Sequence, residues 1–442
     1  MIQAGLQLEQ GPPISVPFRF FLAAPVFLLL AAAALLWQGP AAFAVRLSPA
    51  AVAIAHLVAL GFMAMVMIGA MMQMLPVLQG SPVPRPRATA AVTHAGVGLG
   101  TLAFAAGFLF GEPWLLRAGA LALAAGFLAF VVAVLVCLAR APRQNRTVGS
   151  MWLVLASLLV AVVFGLMLAS LFGWGIALPN QAAHSLHPGW SLLGWTGLLV
   201  TGMGFELVPM LQMTAQYPKP MARYMGALLL ALLALWSAAL WIDEGRWGEV
   251  AVGCAVATAA AYALFAVVTV VLQQRRRRRL ADVTLDFWRV GMLSLFGASL
   301  AWGIRVAWPG AWAGASPESM DILIGVLAMF GFAGSVISGM LYKIMPFLAW
   351  FHLQSMCGPG VLAPNMKKIL PDARQRLQFR SQVLALALLC AAALWPGLFV
   401  YPAALALAAT AVLLEMNLLA VVRAYRDGRA RAASQSAPRD SC

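Results

Sequence analysis

Charge is what this chain has least of. Asp, Glu, Lys and Arg make up 10% of its 442 residues, hydrophobic residues make up 63%, and the mean hydropathy is +0.88. A water-soluble domain cannot bury that much apolar surface, so the surrounding solvent is lipid. Acid is scarcer than base, with 14 Asp+Glu against 29 Lys+Arg and a formal charge of +15. No stacking aromatics accompany the basic runs, which argues against nucleic acid as a partner. The run Arg275 to Arg279 lies between two apolar spans and reads as a stop and lipid-headgroup anchor. The five cysteines (Cys137, Cys254, Cys357, Cys390 and Cys442) form no CxxC, and no CxxCH is present to attach a c-type haem. They read as reduced and structural. There is no phosphate-binding glycine loop, nucleophile elbow or HExxH, and the glycines of GLGTLAFAAG lie inside a span. The N-terminus has no basic n-region and no cleavage site, so the first apolar stretch reads as a retained helix.

What the chain does have is a repeat. Gly61-Phe62, Gly194-Trp195 and Gly331-Phe332 each open the pattern Gly, aromatic, six residues, Gly, six residues, Pro, one residue, Leu. The second glycines are Gly69, Gly202 and Gly339; the prolines are Pro76, Pro209 and Pro346; the leucines are Leu78, Leu211 and Leu348. The starts lie 133 and 137 residues apart, which divides one polytopic membrane domain into repeats of approximately 1–140, 141–280 and 281–442. The implied architecture is all-α and pseudo-threefold, with the motif helix in the same place in each third. Glycine at small-residue spacing allows helix backbones to approach closely in lipid. Proline near a helix end removes an amide donor and frees a carbonyl that needs another partner. Both features suit central helices.

Apolar stretches long enough to span fall near 16–38, 50–78, 88–110, 113–139, 148–175, 188–212, 221–243, 247–273, 285–308, 320–350, 379–397 and 398–424. That is twelve transmembrane helices, four per third, with the motif on the second of each four. The loops after even-numbered spans, with the C-terminal tail, hold most of the basic residues, including Arg85, Arg87, Arg140, Arg143, Arg146, Lys367, Lys368, Arg374 and Arg376. The opposite loops hold Arg46, Arg117, Arg246 and Arg305. This asymmetry puts both termini in the cytoplasm of a bacterial inner membrane, with the motif prolines near the cytoplasmic face.

Polar residues inside a membrane are functional candidates by default. Three of the five histidines gather on one side: His56 near the outer start of the second span, and His184 and His187 at the outer start of the sixth. Imidazole is a common ligand of haem iron and copper. The alternative makes His184 and His187 wet loop residues and His56 a hydrogen-bonded core residue. His94 lies in the cytoplasmic third of the third span, and His352 just past the tenth, where it reads as a bystander. On an α-helical wheel Met63, Met67 and Met74 share the face of His56. Their thioethers suit soft metal ligation, or they fill irregular space between helices. Three residues before the motif prolines stand Gln73, Glu206 and Lys343, which the repeat places at equal depth. A Glu206–Lys343 ion pair bridged by Gln73 is expected; proton conduction and snorkelling of Lys343 are the alternatives.

Twelve spans in three fours, with glycine/proline helices second in each, resemble subunit I of the haem-copper oxidase superfamily. GAMMQMLPVLQG and GMGFELVPML are similar to the glycine-rich stretch and Val-Pro pair that end that family's second helix. The spacing of His56, Gly61-Phe62, Gly69 and Pro76 is similar to the second helix of the nitric-oxide-response NnrS-type haem and copper membrane proteins. The resemblance implies a haem, or a copper ion, in the outer half, with His56 as a ligand and His184, His187 or a methionine as its partner. It also implies respiratory electron-transfer proteins as partners beside the membrane lipid. The departures bear on activity. The tenth span has no histidine where the oxidases carry His-x-His, the seventh offers no copper ligand, and the His-x3-Tyr crosslink pair is absent. The expectation is therefore electron transfer or nitrogen-oxide response without oxygen reduction, an oxidoreductase if an enzyme at all. A permease is the alternative, although most transporters repeat in two halves. A cofactor-free accessory or assembly protein is the third.

Overall fold

The computed structural model describes residues 10–141, 146–242, 244–276, 282–308, 310, 316–356 and 365–436. Arg143, Arg277 to Arg279, Cys357 and Cys442, and the side chains of Leu78, Arg146, Arg246 and Lys367, lie outside the described residues. Twelve helices are long and apolar enough to cross a membrane. They are α1 (Ser15–Phe43), α2 (Pro49–Val77), α3 (Pro86–Phe110), α4 (Pro113–Arg140), α5 (Val148–Trp174), α6 (Ala183–Gln212), α7 (Lys219–Ile242), α8 (Trp247–Gln274), α9 (Val283–Ala307), α10 (Pro317–Gln354), α11 (Asp372–Leu394) and α12 (Pro396–Ala432). These are the twelve spans expected, and the protein is a multi-pass membrane protein. Local chemistry sets several starts. Ser48 accepts from the Ala51 amide and Ser316 from the Ser319 amide, each with proline at the first helical position.

The same neighbours recur in each third. α1 packs on α2, α5 on α6 and α9 on α10; α3 packs on α4, α7 on α8 and α11 on α12. The last helix of each third then meets the first of the next, α4 on α5, α8 on α9 and α12 back on α1. The motif helices lie inside, with 56%, 61% and 56% of their most apolar stretches buried against 28% for α7; only α1 matches them.

Each motif helix contains a π-helical segment: Leu57–Ala64, Trp190–Thr196 and Leu327–Gly334. In all three the motif glycine is the fifth residue and the aromatic the sixth. The segments of α2 and α6 each pack on that of α10. The glycines face the first helix of their own third. A Cβ on Gly61 would overlap Phe27, one on Gly194 would come 3.1 Å from Ser157 Cβ, and one on Gly331 would come 2.6 Å from Ser294 Oγ. Seven residues earlier on those helices, a Cβ on Gly69 would meet Phe20 at 2.8 Å, on Gly202 Ser150 at 3.2 Å, and on Gly339 Phe287 at 2.7 Å. The glycine repeat is therefore a helix-packing device, as small residues in membrane helices commonly are.

The two ends of the bundle differ. Trp37, Trp114, Trp174, Trp241, Trp247, Trp308 and Trp395 are exposed at one end, as in an interfacial aromatic belt. Described arginines of the basic loops, among them Arg85, Arg87, Arg140 and Arg374, lie at the other.

Candidate functional site

The tryptophan end opens into a cavity of about 840 Å³, lined by side chains from all three thirds. Its walls are mostly apolar, and His56, His184 and His187 face it. His56 closes the α-helical part of α2, directly before the π segment. Its Nδ1–H donates to the Val52 carbonyl at 2.7 Å. His187 on α6 donates from Nδ1 to the Ala161 carbonyl of α5 at 3.1 Å. A carbonyl only accepts, so each ring carries its proton on Nδ1 and presents Nε2 as a free lone pair. The rings stand 6.1 Å apart between centroids with planes 10° from parallel. Phe104 packs edge-on against His56 at 5.2 Å. Gly165 makes room for the other ring, because a Cβ there would come 2.9 Å from His187 Cε1.

Counting from the motif glycines, His56 corresponds to Gly189 and Val326, and His187 to Ile54 and Ile324. All six line the cavity. The repeat thus supplies six equivalent wall positions and fills two of them with imidazole.

The other candidates fall elsewhere. His184 faces the cavity but donates its Nδ1–H to the Gln181 carbonyl at 3.2 Å and is part of no close ring pair. His94 is not with the pair. It packs edge-on against Phe20 at 5.3 Å, on the arginine-rich side, with Nε2 buried and without a hydrogen-bond partner among the described residues. The ten residues from His94 to Phe104 span about 15 Å of helix, which separates it from His56. Met63 and Met67 are buried but are not in the cavity wall. The wheel that aligned them with His56 assumed an unbroken α-helix. The intervening π segment takes up an additional residue and turns the rest of α2 by about 100°.

The expected Glu206–Lys343 pair is also corrected. Lys343 Nζ binds Asp282 Oδ2 at 2.8 Å, while Asp282 caps the Thr284 amide of α9. Glu206 is exposed in a separate cleft, and Gln73 is buried with Oε1 unpartnered among the described residues. The nearest anion won, and it comes from the lysine's own third.

An ion cluster at the cavity mouth was not anticipated. Asp321 on α10 reaches Arg46 at 3.5 Å and Arg305 at 3.6 Å, and the Arg46 amide donates to Glu318 at 3.0 Å. Arg46 and Asp321 both line the cavity. The signal available was the two acids of PESMD opening a span on the side where basic residues are few. Among the described residues no group of three or more His, Cys, Asp or Glu is placed to hold a metal. No protein-family model matches the chain, and no curated protein matches it.

Proposed function

We propose that this protein binds haem through His56 and His187 in the outer half of the membrane and serves respiratory electron transfer or nitrogen-oxide response. The observation that carries this reading is the ring pair. Two neighbouring neutral imidazoles, each with its proton on Nδ1, are a donor set that haem iron accepts. The observed 6.1 Å, near-parallel planes and two free Nε2 atoms fit that donor set. The backbone carbonyls supply the orienting bonds that ligating histidines need. The largely apolar cavity of about 840 Å³ suits a porphyrin, and Arg46 at its mouth suits the porphyrin carboxylates. Bound haem would supply one-electron chemistry, and the chain would supply the two imidazole nitrogens that hold it and a water-poor surround. A copper ion at the same two nitrogens is the second form of this reading. It has no sulfur donors in support, since Met63 and Met67 lie outside the cavity wall.

The recurrent helix contacts and the three π segments support an arrangement like that of haem-copper oxidase subunit I and the NnrS-type proteins, with the arginine-rich end in the cytoplasm. The histidine pair joins α2 to α6, whereas α10 contributes Ile324 and Val326, so oxygen reduction of the oxidase kind is not part of the proposal.

The test is a reduced-minus-oxidised absorbance spectrum with metal analysis on protein made in haem- and copper-replete cells. His56→Ala and His187→Ala should each abolish or shift the haem bands, and His352→Ala should leave them unchanged. Wild-type protein carrying neither haem nor copper would sink the reading and favour the permease or accessory alternatives.

A further inference from the structure

We propose that the cleft holding Glu206 binds the headgroup of an aminophospholipid, a primary ammonium beside a phosphate. Glu206 sits inside α6, six residues from its end at Gln212, or about 9 Å along the axis. A carboxylate at that depth requires a counter-charge. Its equivalents have settled theirs, Gln73 by being neutral and Lys343 by pairing with Asp282. Among the described residues no cation lies within ion-pair distance of Glu206, although the side chain is exposed. It lines a cleft of about 190 Å³ with Ser150, Gln216, Tyr217 and Lys219.

Three features choose a lipid. The cleft is walled by α5, α6 and α7, and α5 and α7 are among the least buried helices, with 33% and 28% of their apolar stretches inside the protein. It therefore opens at the lipid-facing perimeter. It lies at the arginine-rich end, where the chain leaves α6 through the left-handed Met213 and re-enters at Lys219. Finally, its charges are of both signs. Glu206 accepts hydrogen bonds from an ammonium, and Lys219 meets a phosphate. Arg223, one turn beyond Lys219 and packed 5.2 Å over the Tyr224 ring, adds a second cation at headgroup level. Phe205 and Ala222 offer apolar contact to the glycerol and acyl chains.

The site discriminates by hydrogen bonding as well as by charge. A primary ammonium donates to the carboxylate at close range. A trimethylammonium cannot donate and is held farther off, and a glycerol headgroup brings no cation at all.

The experiment is native mass spectrometry of the full-length protein from mixed micelles containing phosphatidylethanolamine, phosphatidylcholine and phosphatidylglycerol of identical acyl chains. One phosphatidylethanolamine should be retained, with about tenfold preference over the other two, as expected for one charge-assisted hydrogen bond. Stepwise N-methylation of the headgroup should erode that preference without any change to the protein. Glu206→Gln should abolish it, and Glu249→Gln, an exposed carboxylate at the far end of the bundle, should not. Equal retention of the three lipids, or an unchanged preference in Glu206→Gln, overturns the proposal. Free O-phosphoethanolamine displacing the lipid at stoichiometric concentration would assign the same chemistry to a soluble ligand and overturn the lipid assignment.

Discussion

The boundary between the first and second thirds and the wall contributed by the last third are built on one backbone and carry different chemistry. At the first boundary, His56 and His187 face one another across the cavity. In the last third the equivalent positions are Val326 and Ile324, and polarity lies toward the arginine-rich end instead. There Asn417 donates to Tyr342 at 2.9 Å, Tyr342 to Gln378 at 3.2 Å, Gln378 to Gln382 at 3.1 Å and Gln382 to Ser335 at 3.1 Å. All five side chains are buried. The comparison separates two layers of specification. Motif glycines and π segments are kept in every third because they set how closely helices approach. The groups displayed on that scaffold differ: a histidine pair at one boundary and a buried amide–hydroxyl chain in the last third.

The packing layer can be broken unevenly, and that gives the largest expected effect. Gly61→Ala and Gly339→Ala insert a Cβ into Phe27 and Phe287, whereas Gly202→Ala faces the smaller Ser150 at 3.2 Å. The first two should each lose roughly 1–3 kcal/mol or fail to accumulate. Gly202→Ala should be close to neutral. Thermal unfolding in detergent checks this, and equal losses at the three sites would show that the thirds are not packed differently.

The polar chain of the last third comes next. Tyr342→Phe removes the acceptor of Asn417 and the donor to Gln378, leaving Gln378 Oε1 without that bond. A loss of about 1–3 kcal/mol is expected for an unsatisfied buried group. A melting temperature equal to wild type would mean that water takes over the bonds.

The smallest effect sharpens the ion-pair assignment. Lys343 and Asp282 are 34% and 22% exposed, so their coupling should not exceed about 1 kcal/mol. A double-mutant cycle with Lys343→Met and Asp282→Asn should return that coupling. The same cycle between Lys343→Met and Glu206→Gln should be additive. Coupling in the second cycle and not the first would restore the pairing expected from the repeat.

Much of the scaffold was legible in the residues. Twelve apolar stretches, the placement of the arginines and the triple glycine–proline motif led to the spans and to their grouping in fours. The histidines at the starts of the second and sixth spans were legible as neighbours in depth. Their contact was not, because it depends on the rotation of α2 and α6 about their own axes. The methionine face failed for the same reason: 100° per residue does not hold across Leu57–Ala64. Glu206 and Lys343 failed for another. Equal depth on two helices does not fix distance, and Asp282 at the start of α9 was nearer.

The sequence by itself determined the solvent, the number of crossings, the threefold repetition and the end of the bundle where histidine accumulates. These follow from composition, periodicity and charge, which are local properties summed along the chain. Only the tertiary structure decided that the motif glycines seat the first helix of each third, that His56 and His187 pair, and that Glu206 does not reach Lys343. Each of those depends on helix phase and on which neighbour arrives first, and phase is reset wherever a π turn interrupts the α-helix.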